Sequence, residues 1–131
     1  MDDQPIKLLL IENDLGDVDL VREMLSEEKE FSFHMEHVDS LQAGLERLAK
    51  GDIDVVLLDL NLSDSTGLET FVKVQMQAVR AAVVILTGSY LDEQWSIAAI
   101  QEGAQDYLEK SMVKSKMLAR VLFCAVERKR E

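Results

Sequence analysis

Apolar runs too short to be helices recur along this chain, each followed by a stretch whose apolar residues are spaced three or four apart. Ile6-Lys7-Leu8-Leu9-Leu10-Ile11, Asp54-Val55-Val56-Leu57-Leu58-Asp59 and Ala81 to Leu86 are such runs. Their near-continuous Leu, Val and Ile content fits strands buried on both faces, as in a parallel sheet. Ser32 to Val38 alternates instead, with His34 and Glu36 on one side, and reads as an edge strand. Ala104 to Glu109 is a short fifth strand. The intervening segments read as helices. Gly16 to Glu28 carries Val18, Leu20, Val21, Met24 and Leu25, and the next helix, capped by Asp39 or Ser40, lines up Leu41, Leu45 and Leu48. A third starts at Ser65 or Thr66 and presents Leu68, Phe71, Val72 and Met76. A fourth runs from Asp92 through Ile100, and the last spans Val113 to about Arg128 with Met117, Leu118, Val121, Leu122 and Ala125 inward. Gly51 and Gly103 stand where helices should stop. Strands alternating with helices predict an α/β fold, one doubly wound (βα)5 parallel sheet with right-handed crossovers.

A chain of 131 residues is expected to be a single domain, 1–131, with a core over about 5–126 and the start of a linker helix at 127–131. With 47% hydrophobic and 30% charged residues it can bury a core. A net charge of −11 argues against nucleic acid or an anionic membrane as a partner of this domain. Its acidity is concentrated in the first fifty residues, whereas Arg128-Lys129-Arg130 makes the end basic. No run is long enough to span a bilayer, and the acidic opening Met1-Asp2-Asp3 is unlike a signal peptide. The single cysteine, Cys124, cannot form an internal disulfide and fits a reducing compartment, so the expected location is cytoplasmic.

In an open parallel sheet, reactive groups gather beyond the carboxyl ends of the strands. The first strand ends at Glu12-Asn13-Asp14, the third at Asp59, the fourth at Thr87-Gly88 and the fifth at Glu109-Lys110. In the flavodoxin-like strand order 2-1-3-4-5 these four ends are neighbours. Carboxylates converging there repel one another and need positive charge. Lys110 supplies one such charge, and Mg²⁺ suits a shallow site of few carboxylates plus water. A carboxylate beside Mg²⁺ and an ammonium can attack a phosphoryl donor. Taken singly, each residue has a plainer reading: Asp59 as a turn residue, Lys110 as a solvated lysine, Thr87 as a strand end, Tyr107 as core, and His34 and His37 as surface or structural histidines.

The motifs in order resemble the receiver domain of two-component response regulators along nearly the whole chain. They are Leu9-Leu10-Ile11-Glu12-Asn13-Asp14-Leu15-Gly16-Asp17-Val18, then Val55-Val56-Leu57-Leu58-Asp59-Leu60-Asn61-Leu62 through Gly67. Ile85-Leu86-Thr87-Gly88 and Gly103-Ala104-Gln105-Asp106-Tyr107-Leu108-Glu109-Lys110 follow. The resemblance implies that Asp59 accepts a phosphoryl group from a histidine kinase or phosphotransfer protein. It implies a Mg²⁺ held by Glu12, Asn13, Asp59 and the Asn61 backbone carbonyl, with Lys110 neutralising charge. It further implies that Thr87 binds a phosphoryl oxygen and moves, that Tyr107 follows by changing rotamer, and that Gly88 leaves room. Such a domain is a signalling switch rather than an enzyme with turnover on other molecules. The tail resembles the helix that leads from receivers into an output module, so a downstream partner or a missing C-terminal output domain is implied. A homodimer through the fourth helix, fifth strand and fifth helix is a further implication.

The chain departs from the family pattern in three places. Asn13 replaces the usual metal-binding aspartate, which predicts weaker Mg²⁺ binding, with Asp14 a weak candidate to compensate. Lys110-Ser111 replaces the common Lys-Pro, for which a trans bond is expected. Ser63 replaces a frequent proline, predicting a looser loop. Asn13 also keeps open an alternative, a pseudo-receiver that binds partners without phosphorylation. Asp59-Leu60-Asn61 alone would also suit a haloacid-dehalogenase-type phosphatase, and a flavin-binding domain is disfavoured because Glu12-Asn13-Asp14 would repel a phosphate.

Overall fold

The computed structural model describes residues 4–88 and 92–130; the acidic opening Met1–Asp3 and the final Glu131 lie outside the described residues. The elements alternate as expected: β1 (Ile6–Ile11), α1 (Leu15–Glu27), β2 (Phe33–Val38), α2 (Leu41–Ala49), β3 (Val55–Asp59), α3 (Leu68–Gln77), β4 (Ala82–Thr87), α4 (Glu93–Gln101), β5 (Asp106–Glu109) and α5 (Ser115–Arg130). All neighbouring strands are parallel, in the order β2-β1-β3-β4-β5. β2 is the edge strand that its alternation announced.

Strand parity divides the core in two. Leu8, Leu10, Val55, Leu57, Val84 and Leu86 face α1 and α5, where they meet Val18, Val21, Leu118 and Leu122. Leu9, Ile11, Val56, Leu58, Val83 and Ile85 face the other way, toward Leu41, Phe71, Val74 and Ala99 of α2, α3 and α4. Central strands therefore have no polar face, which is why they read as continuous apolar runs.

Helix boundaries follow local chemistry. Asp14 caps α1 by accepting the Asp17 N–H at 3.1 Å, and Ser40 caps α2 by accepting the Ala43 N–H at 3.1 Å. After α2, Gly51 turns at φ +76°, and Asp52 takes φ +69°, a left-handed conformation in which its carboxylate meets Lys7 Nζ at 2.6 Å. α3 begins at Leu68, later than Ser65 or Thr66. Those two residues belong to the preceding loop: the Ser65 carbonyl accepts the Leu62 N–H, and Thr66 bridges to Asn61. Gly67, at φ +82°, turns the chain into the helix. Met76 is exposed rather than inward, as, to a lesser degree, are Leu20 and Met117. Residues 127–130 form the last turn of α5. This turn is tied back to the body, where Arg128 donates to Gln105 and Arg130 pairs with Asp54.

Phe71 is fully buried while Met76, on the same helix, is 76% exposed. Phe71→Ala should therefore cost about 3–5 kcal/mol of unfolding free energy, and Met76→Ala less than about 0.5 kcal/mol. Urea titrations of the two variants against wild type measure the contrast.

Candidate functional site

Register alone brings the chemistry together. Ile11 pairs with Leu58, so Glu12 comes level with Asp59 just past the end of β1. Thr87 pairs with Glu109, and the Lys110 N–H donates to the Thr87 carbonyl at 2.9 Å. Parity then sorts the side chains. Glu12, Asp59 and Lys110 continue the rows that face α1 and α5, whereas Thr87 and Tyr107 continue the rows that face α4. A charged cluster and a hydroxyl pair thus sit at one end of the sheet, on opposite faces.

Lys110 Nζ is the centre of the charged cluster. It donates to Asp17 Oδ2 at 2.7 Å and to Asp59 Oδ2 at 3.3 Å. It also lies 2.8 Å from Glu12 Oε1, off the angle of a good hydrogen bond, so that contact is an ion pair. Glu12 is fully buried and Asp59 is 5% exposed. Burying charges at this depth is costly unless they are paired, and Lys110 provides the pairing. The second oxygen of each acid is held by the backbone: Asn61 N–H donates to Asp59 Oδ1 at 2.9 Å, and Asp14 N–H to Glu12 Oε2 at 3.1 Å.

Burial is the main cause, and the neighbouring Asp59 carboxylate the next, that pushes the Glu12 carboxyl from 4.5 up to about 7, against the pull of Lys110. Burial alone would lower the Lys110 ammonium. The hydrogen bond to Asp17, the ion pair with Glu12 and the charge of Asp59 outweigh it and hold Lys110 above its ordinary value.

Asn13 is exposed beside this cluster and brings no charge. The Asp14 carboxylate caps α1, accepting the Asp17 N–H through Oδ1. Among the described residues no three His, Cys, Asp or Glu side chains form a metal-binding group. The oxygen donors that could hold a hard cation are therefore Glu12 and Asp59, with Asn13 and the Asn61 carbonyl beside them. Glu12 Oε1 is the one buried side-chain oxygen or nitrogen among the described residues without a hydrogen-bond partner. An oxygen of that kind beside a second buried carboxylate suits Mg²⁺.

On the other face, Thr87 is buried at the end of β4. Tyr107 is half-buried, and its hydroxyl donates to Glu93 Oε1 of α4 at 3.3 Å. Burial, then the charge of Glu93 and the bond to it, raise the Tyr107 phenol. Trp95 of α4 packs over Gly67, where a Cβ would meet the indole at 3.5 Å. At Gly88 a Cβ would stand 3.7 Å from Lys110 Nζ, in ordinary van der Waals contact with the ammonium.

His34 is exposed. His37 is structural, its Nε2 donating to the Glu12 carbonyl at 2.7 Å. The Lys110–Ser111 bond is trans, as is every described peptide bond. The loop after Asp59 lacks proline at Ser63 but is fastened. Asp64 accepts the Leu41 and Gln42 N–H groups at the start of α2, Ser65 hydrogen-bonds Thr70, and the Gly67 N–H donates to Leu60. The residue that sequence reasoning missed is Asp17. It lies one helical turn beyond Glu12 and Asn13, and an acid in a first helical turn is explained well enough by the helix dipole.

A family model described as the response regulator receiver domain matches residues 8–122. The chain belongs to that family. It is 31% identical over 116 residues to the cell cycle response regulator CtrA of Brucella ovis, covering 88% of this chain and 48% of that protein. It spans about half the length of the curated relatives it matches. A crystal structure of a response regulator receiver domain protein from Clostridium thermocellum superposes with a TM-score of 0.82 at 26% identity, covering 95% of this chain and 97% of that one. The signal receiver domain of an HD domain-containing protein from Pseudomonas fluorescens Pf-5 has a TM-score of 0.83 at 21% identity, covering 99% and 92%. The second likeness carries the fold alone. This receiver domain is a signalling domain, and among the described residues no helix is long and apolar enough to cross a membrane.

The raised Glu12 value gives the receiver a pH signature. A folded-state value of about 7 above an ordinary 4.5 contributes stability that is complete below pH 4.5 and lost as pH rises through about 7. In metal-free buffer, unfolding free energy should fall across that window by on the order of 2–3 kcal/mol. Glu12→Gln should flatten the fall. Urea denaturation at stepped pH measures both slopes; parallel slopes would refute the assignment.

Proposed function

We propose that this receiver domain accepts a phosphoryl group on Asp59 from a phosphohistidine of a histidine kinase or phosphotransfer protein. The reading is carried by the Lys110 ammonium, 3.3 Å from Asp59 Oδ2 and 2.8 Å from Glu12 Oε1 at the shared strand ends. Asp59 Oδ attacks phosphorus, the P–N bond breaks, and the donor imidazole keeps the electron pair. Asp59 is engaged through Oδ1 by the Asn61 N–H, which aims the carboxylate. Lys110 stabilises negative charge on the transferring oxygens. Glu12, Asp59, Asn13 and the Asn61 carbonyl would hold Mg²⁺. When bound, it supplies positive charge against the phosphoryl oxygens and the acids. Gly88 follows Thr87 at the end of β4, next to the Lys110 side chain.

The added charge rebiases Thr87 and Tyr107. Thr87 is buried, so moving its hydroxyl to a phosphoryl oxygen alters packing against α4. The Tyr107–Glu93 bond is the contact that must then break or re-form. The α4, β5 and α5 surface, with Ile97 and Ile100 exposed, serves as the output face, toward a C-terminal output domain, a downstream partner or a second copy of the chain. The pseudo-receiver reading draws on Asn13, which leaves the metal donors one charge short of a site with an aspartate there.

A small phosphodonor with Mg²⁺ should add one phosphoryl group by intact mass, and neither Asp59→Asn nor chelator-treated protein should gain it. No gain in wild type would leave the pseudo-receiver. Asn13→Asp should tighten Mg²⁺ binding by about an order of magnitude. Calorimetric titration reads this directly, and an unchanged dissociation constant would refute the role given to Asn13.

A further inference from the structure

The shortest contact of the Lys110 ammonium is not to Asp59 or Glu12 but to Asp17 Oδ2, at 2.7 Å. Asp17 comes from the first turn of α1, and its backbone is fixed because its N–H donates to the Asp14 cap. Side chains on a helix lean toward its N-terminus, which here aims Asp17 back at the strand ends. The pair is largely screened from solvent, at 16% exposure for the Lys110 side chain and 28% for Asp17. This contact matters more in this chain because Asn13 supplies no charge. Without Asp17, Lys110 would give its whole charge to Glu12 and Asp59, the two acids left to attract a cation.

We propose that Asp17 is a positioning residue that holds the Lys110 ammonium against α1, sharing its charge so that Glu12 and Asp59 keep more of theirs for a divalent cation. It acts through Lys110 and touches neither the cation nor the phosphoryl group. The charge absent at Asn13 is thereby offset from the far side of the lysine. Lys110 must then be handed from Asp17 to the phosphoryl oxygens when Asp59 is modified, so Asp17 also sets how readily the lysine is released. This rests on the proposed Mg²⁺ site, but the hold on Lys110 stands apart from it.

Two measurements test the proposal. The first needs no metal: the Lys110 side-chain ammonium should give a resolved ¹⁵N signal in wild type and in Asp59→Asn, and lose it to exchange in Asp17→Asn. A signal that persists in Asp17→Asn overturns the proposal. The second is the Mg²⁺ dissociation constant by calorimetry. Asp17→Asn should weaken it about fivefold, roughly 1 kcal/mol of coupling. In a Lys110→Met background the same change should shift it less than about twofold. Equal weakening with and without the ammonium, or none with it, overturns the proposal, since a general field or a folding defect would act in both backgrounds. Wild type that binds no Mg²⁺ would sink the metal site itself, and the ammonium signal would still decide the role of Asp17.

Discussion

One ammonium shared among three carboxylates at the carboxyl end of the sheet is the constraint on which the site depends. Lys110 Nζ lies 2.7–3.3 Å from oxygens of Asp17, Glu12 and Asp59. The arrangement leaves excess negative charge in a place with little water, a condition that favours binding a cation or a proton. The Glu12 carboxyl raised to about 7 follows mainly from its burial and then from the neighbouring Asp59 carboxylate. The backbone contributes as well, with N–H groups of Asn61 and Asp14 each holding one oxygen of an acid, so the carboxylates are oriented before any ligand arrives.

The doubly wound sheet separates chemistry from readout. Residues of one parity carry the charged cluster toward α1 and α5, and residues of the other parity carry Thr87 and Tyr107 toward α4. Only one residue step along a strand divides the two sides, so an event at Asp59 is a few ångströms from the packing of α4 without exposing the cluster to it. Trp95 over Gly67 gives α4 a second point of contact with the Asp59 loop. The loop itself is pinned to α2 through Asp64, so displacement of the loop is resisted on one side and met by Trp95 on the other.

Much of the fold was legible because central parallel strands leave a plain trace: Val55 to Asp59 and Ala82 to Thr87 are apolar in every position but the last. The carboxyl-end residues were legible for the same reason, since a polar residue closing such a run stands out. The start of α3 was not. Ser65 and Thr66 are good capping residues, but the loop uses their backbone and hydroxyl groups to fold on itself, and the turn falls to Gly67. Met76 follows Val72 at a helical spacing of four and yet faces solvent, because hydrophobic period identifies a stripe without locating its edge. Asp17 escaped notice because its partner is 93 residues away.

Local pattern determined the elements, their alternation and hence the sheet, because burial on both faces demands continuous apolar runs and the helices between them need an amphipathic period. It also determined which residues close the strands. Tertiary structure alone decided how the charge is shared. A single turn of α1 packed beside the end of β5 makes Asp17 the nearest partner of Lys110, and the depth of Glu12 follows from the helices above it. Distances between side chains from separate elements depend on how those elements pack, and no local pattern encodes them.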